Sequence, residues 1–374
     1  MTIYLDCNAT APMVPEVIEI VRYYMEVEFA NSGSRTHAFG SNTNKAVELA
    51  RKQLADVVAA KKDEIIFTSG ATESNNLVIL GLEEHLKRSN KCHVITSAIE
   101  HKSVLEPCKV LESRGIKVTY VKPREDGVID VDALISEITE DTGLISVMHV
   151  NNETGTIQPV DKIATLIKDD VLLHTDAAQG FAKDLDSLRN TRIDLISISG
   201  HKIHGPKGIG ALVRRRRSYK KPPIAPLLYG GGQEKGLRPG TLPVALIAGL
   251  GVAATELEKN NSLWWEICKN NKKGFLTAFS NLSPIIHGQN TLPNIVNFSI
   301  PGINSEAAII ALKDIAAFSN GSACTSTSYE LSHVLAAMSV SDEVANSSIR
   351  MSWCHITGDI PWNKMAVKLS KLLN

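Results

Sequence analysis

Three short runs of this sequence place chemically able side chains just after apolar, β-rich segments. Ser199-Gly200-His201-Lys202 follows one such segment. Lys202 would then stand at a strand's carboxyl end, where open α/β sheets bind ligands, although a lysine in a turn is most often simply solvated. Thr175-Asp176-Ala177-Ala178-Gln179 ends another segment. Asp176 there is either a helix N-cap or a carboxylate for a protonated ring nitrogen. Thr68-Ser69-Gly70-Ala71-Thr72-Glu73 passes from a strand through small residues into a helix. Its backbone N–H groups, the positive helix end and the Thr72 hydroxyl would receive a phosphate; alone, the run also reads as an ordinary capping box. GxxxxGK[ST] is missing, and Gly208-Ile209-Gly210 lacks the spacing of a dinucleotide fingerprint. A phosphate cradle, an acid and a lysine at successive strand ends suit pyridoxal phosphate better than ATP or NAD.

The six cysteines are Cys7, Cys92, Cys108, Cys268, Cys324 and Cys354. Their wide spacing fits neither a zinc ribbon nor a disulfide scaffold, so most are expected to be inert, partly buried thiols. Cys324 differs. It sits in Ser319-Asn320-Gly321-Ser322-Ala323-Cys324-Thr325-Ser326-Thr327-Ser328, a small, polar run with little to bury. That composition predicts a mobile loop and a thiol able to reach a substrate and swing away.

The elements that must hold these residues are legible as an alternation. Strands are predicted at Glu64–Thr68, His93–Thr96, Ile116–Tyr120, Leu144–Met148, Val171–His174, Asp194–Ile198 and Gly210–Val213. Helical stretches lie between most of them, one running from Ala71 to about Arg88 and another from about Leu242 to Glu258. The fold class is α/β: a large, mainly parallel seven-stranded sheet covered on both faces, with one antiparallel strand allowed for at the Gly-rich turn, plus a smaller α/β domain. The large domain is set at residues 15–260. Residues 1–14 and 261–374 form the small one, with a strand at Asn294–Ser299, a helix at Ser305–Lys313 and the Cys324 loop.

Composition excludes several classes. Lys plus Arg and Asp plus Glu both number 40, so no global field draws in nucleic acid or an anionic membrane. The basic run Arg214–Arg217 is expected to be a solvated strand end. No apolar run is long enough to span a bilayer, and the acidic start is unlike a signal peptide, so a cytoplasmic location is expected.

Longer stretches now carry a resemblance: Thr68–Asn76, Glu100-His101, His149-Val150-Asn151-Asn152-Glu153-Thr154-Gly155, His174–Gln179, Ser199–Gly208, Gly240-Thr241-Leu242-Pro243, Gly321–Ser326 and Ser347-Ser348-Ile349-Arg350. In this order they resemble the cysteine desulfurases, pyridoxal-phosphate enzymes of the fold-type I, class V aminotransferase-like family. The resemblance implies an enzyme that converts L-cysteine to L-alanine and leaves a persulfide on Cys324 for a sulfur-acceptor protein. It implies that Lys202 holds the cofactor's aldehyde and moves the substrate's α-proton, and that His101 stacks on the ring and assists. Asp176 would pair with the ring nitrogen; Gln179 and Asn152 would contact its phenolic oxygen. Ala71, Thr72, Ser199 and His201 would hold the phosphate, completed by Thr241 from the neighbouring subunit of a homodimer. Arg350, with Asn152, would bind the substrate, Arg350 taking its carboxylate. No metal and no direct nucleic-acid contact are expected.

The chain departs from the family's commonest pattern at Cys7, His204, Asn31-Ser32-Gly33-Ser34 and Trp353-Cys354. It also ends sooner after Arg350 than the iron–sulfur-assembly members, whose C-terminal region helps dock a scaffold protein. Ser326–Leu335 and the Asn31 turn resemble the subgroup serving DNA phosphorothioation. A sulfur donor for iron–sulfur clusters or tRNA thiolation is the alternative pathway, and another pyridoxal-phosphate lyase or aminotransferase the alternative chemistry. A silent scaffold is disfavoured by Lys202, Asp176, His101 and Cys324 occurring together.

Overall fold

A computed structural model of the chain describes residues 2–320 and 331–373. Cys324 therefore lies outside the described residues. In chain order the strands are β1 (Ile3–Tyr4), β2 (Ile65–Thr68), β3 (His93–Ser97), β4 (Lys117–Val121), β5 (Thr142–Ser146), β6 (Leu172–Asp176), β7 (Leu195–Ser199) and β8 (Gly210–Arg214). They continue with β9 (Ile285–Ile286), β10 (Ile295–Ser299), β11 (Ala316–Ala317) and β12 (Ser348–Ser352).

Seven of these form one sheet in the order β2-β8-β7-β6-β5-β3-β4. Strands β4, β3, β5, β6 and β7 pair in parallel, and β8 runs antiparallel between β7 and β2. The physical reason for the reversed strand is its connection: the turn from Gly200 to Ile209 is too short for a parallel crossover. Every residue of β2, β3, β5 and β7 is buried, which is why these strands read as continuous apolar runs. β2, β3, β6 and β7 end at one edge of the sheet. That edge sets the position of Ser69, His101, Asp176 and Lys202.

A second apolar cluster gathers Leu5, Phe275, Phe279, Phe298, Met351, Trp353 and Trp362. It packs on an antiparallel sheet, β12-β10-β9, and near the parallel β1–β11 pair. Bridging both clusters is one helix, Val244–Phe279. Val244, Ile247, Leu250 and Leu257 belong to the first core, whereas Cys268, Phe275 and Phe279 belong to the second.

Three sequence expectations are corrected. The helix expected to stop near Glu258 continues to Phe279, because the polar run Lys259-Asn260-Asn261 does not end it; Asn261 Nδ2 donates to the Ala182 and Lys183 carbonyls. The helix expected to reach Arg88 is two, Ala71–Ile79 and Glu83–Arg88. Between them Gly81 admits the chain at Ala225, whose N–H donates to the Gly81 carbonyl at 2.8 Å; a Cβ at Gly81 would lie 2.7 Å from the Ala225 oxygen. Finally, the basic run is only partly solvated: Arg216 is exposed, but Arg215 turns inward. Arg215 is buried and donates to the Val58, Leu188, Asn190 and Ile193 carbonyls, while Arg216 pairs with Asp63 and Arg217 with Asp194. Among the described residues, no helix is long and apolar enough to cross a membrane.

Candidate active site

A cavity of about 630 Å³ opens at the carboxyl edge of the large sheet. Ala71, Thr72, His101, Asn152, Asp176, Gln179, Ser199, His201, Lys202 and Arg350, all singled out from sequence, line it. Thr241 does not; it is exposed outside the cavity.

Lys202 belongs to a single 3-10 turn that follows β7 directly. Its Nζ donates to the Asn8 and Ala9 carbonyls at 2.6 and 2.8 Å, which aims the amine at the cavity's N-terminal rim. Asn8 is itself held: its carbonyl accepts from Gln179 Nε2 at 2.9 Å, and its N–H donates to Ser352 Oγ. The turn is tightly wound, since a Cβ at Gly200 would stand 2.8 Å from the Pro206 oxygen.

Asp176 closes β6 and is buried. One carboxylate oxygen accepts from the Ala178 N–H at 2.9 Å and the other from Asn75 Nδ2 at 2.7 Å. Asn75 Nδ2 also donates to Ser103 Oγ at 2.8 Å, and Ser103 Oγ lies 2.8 Å from His101 Nδ1. Asp176 and His101 are thus joined by two fully or largely buried side chains that sequence reasoning did not select. His101 N-caps the helix Lys102–Ser113, its Nδ1 accepting from the Ser103 N–H at 3.1 Å. An accepting Nδ1 places the ring's proton on Nε2. Burial, followed by the Lys202 and His333 charges, lowers the His101 pKa despite the opposing pull of Asp176. The imidazole is therefore neutral at neutral pH.

At the other end, the N-terminus of the helix Ala71–Ile79 meets Ser199, His201 and Lys207. The N–H groups of the first helical turn have no intrahelical acceptor. Burial, reinforced by Lys202 and Lys207, pushes His201 down to about 4. Beside it, burial would raise the Glu73 carboxyl, but bonds from Arg238 at 2.9 Å and from the Ser69 N–H at 2.8 Å hold it below the usual range.

Arg350 lies on β12, its Nη2 2.7 Å from Asp6 Oδ1 and its Nη1 donating to the Asn152 carbonyl at 3.1 Å. Both borders of the segment carrying Cys324 are anchored at this rim. On one side the Ser319 carbonyl accepts from the Arg350 N–H at 2.8 Å. On the other, His333 Nε2 donates to the Glu100 carbonyl at 2.9 Å, one residue from His101, and Ser332 Oγ donates to Glu153 at 2.5 Å. Glu100 is completely buried; burial pushes its carboxyl up to about 8, against bonds from Ser97 and the Met148 N–H.

The donor set fits pyridoxal phosphate. Gln179 Oε1, His201 Nδ1 and Arg350 Nε are buried without a hydrogen-bond partner among the described residues, and their side chains line the same cavity. Buried polar atoms seldom stay unpaired. A phosphate at the helix terminus, a ring nitrogen against Asp176 and an aldehyde at Lys202 would use groups already fixed in place. The contributions of Asp6, Asn8 and Ala9 were not found from sequence. Two of the three act through backbone carbonyls, which carry no residue-type signal.

Comparisons agree with this geometry. The aminotransferase class-V family model matches residues 3–357. The chain is 47% identical over 359 residues to the mitosomal cysteine desulfurase of Trachipleistophora hominis, covering 93% of this chain and 80% of that one. It is 43% identical to the cysteine desulfurase IscS of Rickettsia prowazekii, covering 100% of this chain and 92% of its relative. Among solved structures, DndA from Streptomyces lividans superposes with a TM-score of 0.83 at 44% identity, over 94% of this chain and 99% of that one. Cavity, topology and similarity together assign the chain to the aminotransferase class-V family of pyridoxal-phosphate enzymes.

Proposed function

We propose that this enzyme is a cysteine desulfurase that moves the sulfur of L-cysteine onto Cys324. The observation that carries this reading is the convergence at one rim. Lys202, His101 and Asp176 share the cavity with Arg350, and the segment bearing Cys324 departs from Ser319 beside Arg350 and returns at His333 beside His101.

Bound pyridoxal phosphate supplies an electron sink for the carbon from which a proton is removed. The chain's own residues do the rest. Arg350 turns its fork to the substrate carboxylate, a geometry suited to a bidentate pair. Asp176, locked by Asn75 and the Ala178 N–H, would face the ring nitrogen. Lys202 would take the α-proton, and His101, with its proton on Nε2, would pass a proton beside it. The Cys324 thiolate attacks the substrate sulfur; an S–S bond forms as the Cβ–S bond breaks with its electron pair left on carbon, and the carbon skeleton leaves as alanine after Cβ gains a proton and the α-proton is returned to Cα.

We further propose a homodimer in which Thr241 completes the partner's phosphate site. Its exposure away from its own cavity supports this, as do the exposed apolar residues Met25, Phe29, Phe39, Leu228 and Tyr229. The likeness of Ser326–Leu335 to the phosphorothioation subgroup favours an acceptor in that pathway, while the 43% identity to IscS keeps an iron–sulfur acceptor as the second reading. The test is peptide mass spectrometry after incubation with cysteine: the Cys324 peptide should gain one sulfur atom, and peptides bearing the other five cysteines should not. Sulfur on another cysteine alone would overturn the assignment.

A further inference from the structure

Three positions at which the chain departs from its family's commonest pattern meet behind Lys202. Cys7, His204 and Cys354 line a second, small cavity of about 30 Å³, which shares only Lys202 with the large one. The Cys354 sulfur and one ring nitrogen each of His204 and His355 lie within 4.8 Å of one another. Cys7 interacts with the Cys354 side chain. Cys7, His204 and Cys354 are 4%, 5% and 6% exposed, whereas His355 is half-buried and stacks on Trp264 at 3.6 Å.

The second partner of His204 fixes its tautomer. Its Nδ1 lies 2.8 Å from the Pro12 carbonyl. A carbonyl only accepts, so Nδ1 carries the proton and Nε2 presents its lone pair. Ligating histidines are oriented in this way, by a hydrogen bond from the other ring nitrogen to a carbonyl. His204 also holds a left-handed φ of 64°, uncommon for a residue with a Cβ.

We propose that Cys354, His204, His355 and Cys7 form a binding site for one zinc ion. Two thiolates and two imidazoles are a tetrahedral zinc donor set, with bonds of about 2.3 Å to sulfur and 2.0 Å to nitrogen. Such bonds put neighbouring donors roughly 3.3–3.8 Å apart, so the three donors of His204, Cys354 and His355, already within 4.8 Å, need only side-chain contraction, and Cys7, in contact with Cys354, has to swing in as the fourth. No carboxylate lines this cavity among the described residues, which disfavours the hard cations magnesium and calcium. Lys183 is buried in the same space. A dication with one thiolate would leave net positive charge beside that ammonium; a second thiolate, Cys7, cancels it.

The location gives the ion a structural task. Cys354 follows β12, which carries Arg350. Cys7 stands between Asp6, the Arg350 partner, and Asn8, whose carbonyl accepts from Lys202. His204 is two residues beyond Lys202. One ion would clip together the three segments that align Lys202 with Arg350, using four protein ligands and leaving no open catalytic position.

The test uses the full-length holoenzyme, stripped with a chelator and dialysed against zinc sulfate. One zinc per chain is expected, with X-ray absorption showing sulfur and nitrogen neighbours at the distances above. Cys354→Ser and His204→Asn should each weaken zinc binding at least about tenfold, while Cys268→Ser and Cys324→Ser retain it. Zinc should raise the thermal midpoint of the parent and not of the first two variants, whose cofactor content reports that they are folded. Failure of the parent to retain zinc, equal retention by Cys354→Ser and His204→Asn, or loss with Cys324→Ser would each overturn the proposal.

Discussion

Lys202, Asp176, His101 and Arg350 are each held by neighbours that leave one chemical option open. Lys202 is aimed by two backbone carbonyls, so Lys202→Ala should still fold but lose the visible absorbance of the lysine-linked cofactor; full retention of that band would remove Lys202 from its role. Arg350→Ala should leave cofactor content unchanged and weaken cysteine binding if, as proposed, its unpartnered Nε receives the substrate carboxylate. Losing a charge-assisted pair costs about 1.5–3 kcal/mol, or roughly 10–150-fold in KM. The Ser103→Ala change tests the link from Asp176 to His101. It removes a buried partner of His101 Nδ1 and of Asn75, and should lower kcat by about 5–150-fold, equivalent to about 1–3 kcal/mol, with KM little changed. A KM effect with kcat intact would mean the link serves binding alone. Lys202 and Asp176 were legible from their types at strand ends, whereas His101 and Arg350 were legible only through the family resemblance. Asn75 and Ser103 were not selected, because an Asn and a Ser in a helix's first turns look like ordinary capping chemistry until Asp176 and His101 are seen on either side of them.

At the scale of elements, the strand ends were readable because buried parallel strands leave unbroken apolar runs between small-residue turns. The length of the helix Val244–Phe279 was not readable. Its polar middle satisfies local rules for stopping, while contacts to Ala182 and Lys183, far away in sequence, hold it in place. The inward turn of Arg215 was hidden for the same reason: its acceptors are carbonyls from two distant segments, Val58 and Leu188–Ile193. Gly180 shows how closely these elements meet. A Cβ there would lie 2.0 Å from His149 Nδ1, and His149 is fully buried with Nε2 2.8 Å from Asp184 Oδ2. Gly180→Ala should therefore destabilise the fold by about 1–3 kcal/mol through overpacking, read as a lower denaturation midpoint at unchanged slope. An unaltered midpoint would show that His149 can yield.

For the whole molecule, acid sensitivity follows from its buried imidazoles. Burial pushes His174, His201, His204, His287 and His355 each down to about 4. The unfolded chain protonates these groups near 6.5 and the folded one does not, so stability should fall as pH drops from about 6.5 toward 4. Glu100, raised to about 8, acts in the opposite sense, since its folded form keeps a proton that the unfolded form releases. Glu153, also raised by burial, acts in the same sense as Glu100, and two such groups do not offset five histidines. Thermal midpoints should decline across that window, and a flat profile would contradict the burial of the five rings. The subunit arrangement is testable by mixing chains. Co-expressed Lys202→Ala and Thr241→Ala chains should regain desulfurase activity in the mixed dimer, where one site has an intact Lys202 and a partner's intact Thr241. No recovery would place Thr241 outside the partner's site.

The central claim is that sulfur leaves cysteine through the Cys324 thiol. Cys324→Ser changes one atom and leaves the cavity of Lys202, Asp176, His101 and Arg350 untouched. The decisive measurement is the rate of alanine formation by this variant and by the parent at equal cofactor occupancy. The variant should bind pyridoxal phosphate and cysteine yet form almost no alanine and carry no persulfide. Alanine formed at the parent's rate would show that sulfur departs without Cys324, and that the enzyme is a lyase of another kind.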